Sequence, residues 1–182
     1  MNPLIDFPPA PYKALAFDHI KPEHFLPALE HWIQVAKERQ AAIVANSERP
    51  TFENTVAALE FSSLELNKVS SCFFNLNSAE TNEDIQEIAR EFSPKLTAFS
   101  SETLLNEPLF LRIQSVYESG QELHSAEAKR LLNETYESFV RNGAALVGEN
   151  RTRLTALNEE LSTLSLTFGE HVLAETKAFQ YY

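Results

Sequence analysis

Apolar residues recur at helical spacing along nearly the whole chain. From Thr51 onward, Phe52, Val56, Leu59, Leu66, Val69, Phe73 and Leu76 follow one another at steps of 4, 3, 7, 3, 4 and 3. A stripe that narrow and regular lies on one side of an α-helix and packs against an antiparallel neighbour at a shallow angle. Thr51 is placed to cap the first turn, and Glu53 suits the positive end of the helix dipole. A second such stripe starts near Glu149, where Leu154, Leu157, Leu161, Leu164, Phe168 and Val172 step by three and four residues. The helix it predicts runs past His171, with Gly169 a modest weak point.

Three further segments carry the same period. Lys21-Pro22-Glu23 opens a helix reaching about Asn46, because proline is tolerated in a first turn and Pro27 is still close to the start. Its predicted buried stripe is Leu29, Trp32, Ile33, Ala36, Ile43 and Val44, and its wet side is Lys37, Glu38, Arg39 and Gln40. Asn82 caps a helix carrying Ile85, Ile88, Phe92, Leu96 and Phe99, in which Pro94 removes a hydrogen bond and predicts a kink. After Pro108, a shorter helix with Leu109, Phe110, Ile113, Val116 and Tyr117 reaches Gly120. Ser125 with Glu127 opens another through Leu131, Leu132, Tyr136, Phe139 and Val140, ended or bent at Gly143.

No segment alternates with period two, and no Asn-Gly or Asp-Gly signal joins two apolar runs, so no β-structure is expected. The fold class is all-α: a multi-helix bundle of long antiparallel helices, residues 20–182, preceded by a short extended arm, residues 1–19. In that arm Pro3, Pro8, Pro9 and Pro11 break up helix, and Phe7 and Tyr12 are the side chains available to anchor it to the body. All nine prolines lie at or before Pro108, which leaves the last part of the chain to long helices. The chain stops at Gln180-Tyr181-Tyr182 without a helix stop signal, which reads as a boundary within a longer protein.

Composition narrows the function. With 182 residues, 43% hydrophobic and 23% charged, the chain is long enough to bury roughly 70% of its unfolded surface without staples. Its single cysteine, Cys72, has no intramolecular disulfide partner, which suits a reducing compartment and makes the cytoplasm the expected location. No secretory signal and no membrane span is legible, so no membrane partner is expected. The net charge of -11, from 26 acidic and 15 basic residues, repels phosphate backbones, and nucleic acid is excluded as a partner.

No arrangement of residue types points to a catalytic centre. No His-Glu-x-x-His is present to place two zinc ligands one turn apart with a base between them. A di-iron bundle needs Glu-x-x-His, but the residues three before the five histidines are Ala16, Lys21, Ala28, Gln121 and Phe168. His24 and His31 are two helical turns apart, about 10 Å of rise, too far for one ion. Cys72 sits beside the apolar stripe with no electropositive neighbour, the setting of a buried hydrophobe rather than a nucleophile. Four glycines could hardly build a phosphate loop. No catalytic, cofactor-binding or metal-binding residue is therefore expected on this chain.

Five stretches nevertheless occur in a telling order. They are Ile20-Lys21-Pro22-Glu23-His24-Phe25-Leu26-Pro27-Ala28-Leu29; Pro50-Thr51-Phe52-Glu53-Asn54-Thr55; Phe139-Val140-Arg141-Asn142-Gly143-Ala144-Ala145-Leu146; Glu160-Leu161-Ser162-Thr163-Leu164; and Phe168-Gly169-Glu170-His171-Val172-Leu173-Ala174-Glu175-Thr176. Together they resemble the amino-terminal region of the thimet oligopeptidase family of zinc metallopeptidases, from about Ala16 onward. Phe73-Phe74-Asn75-Leu76 with Thr81-Asn82-Glu83 leans toward its peptidyl-dipeptidase branch over its oligopeptidase A branch. The resemblance implies a longer enzyme in which this helical portion forms one wall of a deep channel for short peptides. Its zinc, the His-Glu-x-x-His that binds it and the other catalytic groups would lie beyond Tyr182, in a carboxy-terminal catalytic domain that is this portion's expected partner. The alternative, from a different class, is a stand-alone helical interaction module that holds a partner helix in a groove, motivated by the stripes of the second and last helices.

Overall fold

The computed structural model describes residues 2–8, 15–120, 123, 125–144, 146 and 148–179, with Arg151 as backbone only. Helix α1 is Pro3–Asp6, followed by 3-10 turns at Phe17–His19 and Pro22–His24. Then come α2 (Phe25–Ala45), a π-helical turn (Phe52–Ala57), α3 (Ala58–Ser62), α4 (Leu64–Ala79), α5 (Glu83–Leu104), α6 (Glu107–Glu118), α7 (Ala126–Arg141) and α8 (Glu149–Ala178). Among the described residues there is no strand, as the absence of period-two patterning predicts. None of the described helices is long and apolar enough to cross a membrane.

Capping chemistry sets the helix starts. The Thr51 hydroxyl accepts from Asn54 N, while Asn54 Oδ1 accepts from Thr51 N at 2.9 Å, a reciprocal pair that satisfies two orphan donors. Asn82 Oδ1 accepts from Ile85 N at 2.9 Å and Ser125 Oγ from Ala128 N at 3.0 Å. Helix α6 begins one residue before Pro108 rather than after it, because Asn106 Oδ1 accepts from Leu109 N and Pro108 fits the first turn.

The main core lies between α2, α4 and α5. Phe25, Leu29, Val69, Phe73, Ala89 and Phe92 are at most 1% exposed, and the Phe73 ring stacks on Phe92 at 4.3 Å and meets Phe25 edge-on at 5.1 Å. Smaller clusters tie α6 and α7 to the end of α2, through Ile43, Leu109, Ile113 and Phe139, and to the π-turn through Val56, Val116 and Leu132.

The opening arm docks on the body, but it is not simply extended. Asn2 caps the turn Pro3–Asp6, and its Nδ2 donates to His24 O at 2.9 Å. Leu4 is fully buried, and its carbonyl accepts from Trp32 Nε1 at 2.7 Å. Phe7 ends the turn in the left-handed region, φ 42°, a conformation that costs an L-residue about 1–2 kcal/mol. Its ring stacks on Trp32 at 5.7 Å. Tyr12, the other expected anchor, lies outside the described residues.

Other differences have local causes. The second helix, expected as one rod from Thr51, starts as a π-turn and breaks at Ser63. The break falls in the seven-residue step between Leu59 and Leu66, where Ser62 is buried, its hydroxyl donates back to Leu59 O and its carbonyl accepts from Arg39 Nη1. Gln40, assigned to the wet side of α2, is buried because α5 crosses it: Thr103 Oγ1 donates to Gln40 Oε1 at 3.1 Å. Helix α5 is one element with Pro94 inside it, which is compatible with the kink expected there. Helix α7 ends before Gly143, whose φ of 86° favours glycine and where a Cβ would stand 2.7 Å from the Leu154 side chain of α8.

The largest correction concerns α8. It is a single helix of 30 residues, unbroken at Gly169 as predicted. Its apolar stripe does not face the core: Leu157, Leu161, Leu164, Phe168 and Val172 are each half or more exposed. The half-buried residues are Leu154, the one member of the predicted stripe that is partly covered, with Thr155, Asn158, Ser162, Leu166, Glu170 and Leu173, the last four centred about 150° round the helix from the exposed stripe. That face meets α5 through a polar seam, Thr97 Oγ1 to Ser162 Oγ at 2.8 Å and Arg90 to Glu170, with Leu166 alone reaching the main core. Val140, expected in the α7 stripe, is likewise exposed.

Candidate functional site

The rotation of α8 leaves a cleft of about 590 Å³ between it, α5 and the end of α4. Its floor is Phe74, held edge-on against Phe73 at 5.4 Å and Phe92 at 5.7 Å. Asn77, Gln86, Ser93 and Ser162 supply neutral polar walls, and Glu170 is the lone charged group in the lining. Glu170 Oε1 is buried without a hydrogen bond, with Arg90 Nη2 at the ion-pair distance of 3.5 Å. The lining thus combines an apolar floor with a few amide and hydroxyl groups, the general make-up of a ligand cleft. A second groove, about 650 Å³, lies between α2, the α3–α4 break, α5 and α7, with Gln40, Leu66, Phe99, Thr103 and Phe139 in its lining. Neither groove was legible in the sequence, because both depend on where the α3–α4 break and the α8 rotation fall.

Ion pairs fix the helices that frame these grooves. Arg39 of α2 reaches Glu65 of α4 at 2.6 Å, directly beside the break at Ser63. The hydrogen bond from Arg39 holds the Glu65 carboxyl below its ordinary value, aided by the charges of Arg39 and Lys68 and opposed by burial. A depressed carboxyl contributes stability above its unfolded value and loses it as pH falls through the folded one. Glu65→Gln is therefore expected to destabilise the chain at pH 7 and to make no difference once the carboxylate is protonated. Urea unfolding of both proteins across the acid range checks this, and a constant gap between them would contradict it. Lys95 with Glu30 and Lys37 with Glu102 join α5 to α2 in the same way, on more exposed ground.

The histidines are scattered. His24 Nδ1 accepts from Lys21 N at 3.1 Å and so closes the turn before α2. His31 lies edge-on to Trp32, His19 pairs with Asp18 on the surface, and His171 is exposed on α8; His124 lies outside the described residues. Among the described residues no three His, Cys, Asp or Glu side chains gather where they could hold a metal ion. Cys72 is buried in the α4 core, and burial pushes its thiol up, away from the thiolate a nucleophile needs.

No family model matches the chain. Individual proteins do. It is 38% identical over 178 residues, 97% of its length, to dipeptidyl carboxypeptidase of Salmonella typhimurium. This chain is an amino-terminal region of the thimet oligopeptidase family. Dipeptidyl carboxypeptidase of Escherichia coli K12 is 35% identical over 98% of the chain, and oligopeptidase A of Haemophilus influenzae 25% over 98%. The higher identities fall on the dipeptidyl carboxypeptidases, in line with the lean carried by Phe73-Phe74-Asn75-Leu76. In all three alignments the chain spans about a quarter of the relative's length, 26%. These family members are peptidases.

Proposed function

We propose that this chain is the amino-terminal helical wall of the substrate channel in a zinc-dependent, peptidyl-dipeptidase-like oligopeptidase, confining short peptides without cutting them. The observation that carries the reading is the 38% identity across 97% of the chain to a dipeptidyl carboxypeptidase of which the chain spans 26%. The cleft floored by Phe74 supports it as a surface along which an extended peptide could lie. Zinc, which the family implies, does not fit the described residues, because no donor set gathers among them. No step through a metal follows from this chain, and we assign the zinc and the cutting groups to a carboxy-terminal catalytic part. The single, buried Cys72 is compatible with a reducing cytoplasm.

A fusion of this chain to the remainder of the Salmonella relative tests the confining role. It is expected to cleave short unfolded peptides and to spare the same sequence displayed in a folded protein. Equal cleavage of both would contradict the reading. The stand-alone interaction module loses one of its two supports, since the stripe of the second helix is core. The stripe of α8 is not.

A further inference from the structure

Leu157, Leu161, Leu164, Phe168 and Val172 form an apolar stripe on α8 that no described part of the chain covers, with Phe168 and Val172 also at the rim of the cleft. Leu157 is 51% exposed, Leu161 62%, Leu164 58%, Phe168 69% and Val172 50%. Together they reach the few-hundred-Å² scale at which an exposed apolar patch marks an interaction site. The surrounding sequence lacks the features of a solvated face. In a chain of net charge -11, the nine residues from Leu161 to Gly169 carry no charge at all. Depletion of charge around bulky apolar groups is the composition of an interface centre rather than of its rim. Gly169 and Ser165 beside the stripe are small and exposed, and a Cβ at Gly169 would meet nothing within 4 Å, so a neighbouring backbone has room to approach.

We propose that this stripe is the docking surface for an amphipathic helix of the catalytic part of the peptidase. The occupant follows from two observations. The steps of 4, 3, 4 and 4 from Leu157 to Val172 present knobs to a helix rather than to a strand or loop. The chain spans only 26% of the relatives' length, and the remainder supplies protein to cover it. The inference rests on the family reading above and adds to it the face by which the two parts meet. It also accounts for the polar seam between α8 and α5: α8 has its apolar side committed outward, so its inward side is held by hydroxyls and an ion pair.

The test compares the isolated chain with the fusion to the remainder of the Salmonella relative. Leu164→Cys introduces a thiol on the stripe, read by peptide-resolved maleimide labelling, while Cys72 stays buried. The new thiol is expected to label rapidly in the isolated chain and to be protected at least tenfold in the fusion. The double variant L161E/F168E is expected to leave the thermal midpoint of the isolated chain unchanged, because both side chains are exposed there, and to lower that of the fusion. A Leu164→Cys fusion that hydrolyses peptides while its introduced thiol labels as fast as in the isolated chain overturns the docking face and leaves the wall reading intact. Protection in a fusion that cuts folded and unfolded substrates alike does the reverse. Protection in the isolated chain that disappears on dilution assigns the stripe to a second copy and overturns the proposal. So does a wild-type fusion that aggregates where its L161E/F168E form stays soluble.

Discussion

Phe73→Ala is expected to remove about 3–5 kcal/mol from the stability of this chain, the range for truncating a fully buried phenylalanine. Phe73 is 0% exposed and sits where three helices meet. Its ring is stacked on Phe92 of α5 at 4.3 Å, edge-on to Phe25 of α2 at 5.1 Å and edge-on to Phe74 at 5.4 Å. Truncation forfeits the transfer free energy, opens a cavity that rigid helices close only partly, and removes aromatic contacts worth about 0.5–1.5 kcal/mol per pair beyond their area. Against a typical stability of about 5–15 kcal/mol, that is a large fraction. Phe74 would lose its backing as well, so the cleft floor would loosen. Phe168→Ala, on the exposed stripe at 69% exposure, is the matched control and should change stability little. Urea denaturation of both variants checks the contrast, and comparable losses would mean that α8 is packed differently from the structure described.

What was legible in the sequence depended on whether local chemistry or tertiary context decided it. Helix existence was legible because the apolar period and the caps agree: Thr51, Asn82 and Ser125 each accept the backbone hydrogen bond their position predicts. The interior of the second helix was less so, since the break at Ser63 needs Arg39 from another helix to take the Ser62 carbonyl. Gln40 was misplaced for a similar reason: its burial is imposed by Thr103, far along the chain. The stripe of α8 shows the limit of periodicity most clearly. Leu157, Leu161, Leu164 and Phe168 mark an apolar face, but the period does not say whether this chain or anything else covers it. Within this chain nothing described covers them, and the face that α5 does meet carries Ser162 and Glu170, which read as polar surface, with Leu166 and Leu173 off the predicted stripe. The grooves inherit that ambiguity. The family, by contrast, was legible from five ordered stretches and from nothing in the helical pattern.

The second large effect is all-or-none. The isolated chain brings no donor set together among its described residues, and none of the five histidines has an acidic residue at di-iron spacing before it. Its chemistry as described is that of surface and shape: an apolar-floored cleft, a second groove, and an uncovered helix face. On the reading proposed above, the metal site and the general base come from elsewhere in the peptidase. Zinc analysis after exhaustive dialysis, run beside an oligopeptide hydrolysis assay on the purified isolated chain, measures this directly. The expected result is no stoichiometric zinc and no turnover above the buffer rate. One zinc retained per chain, or turnover abolished by substituting a residue within it, would contradict the assignment of the cutting groups to another part of the enzyme.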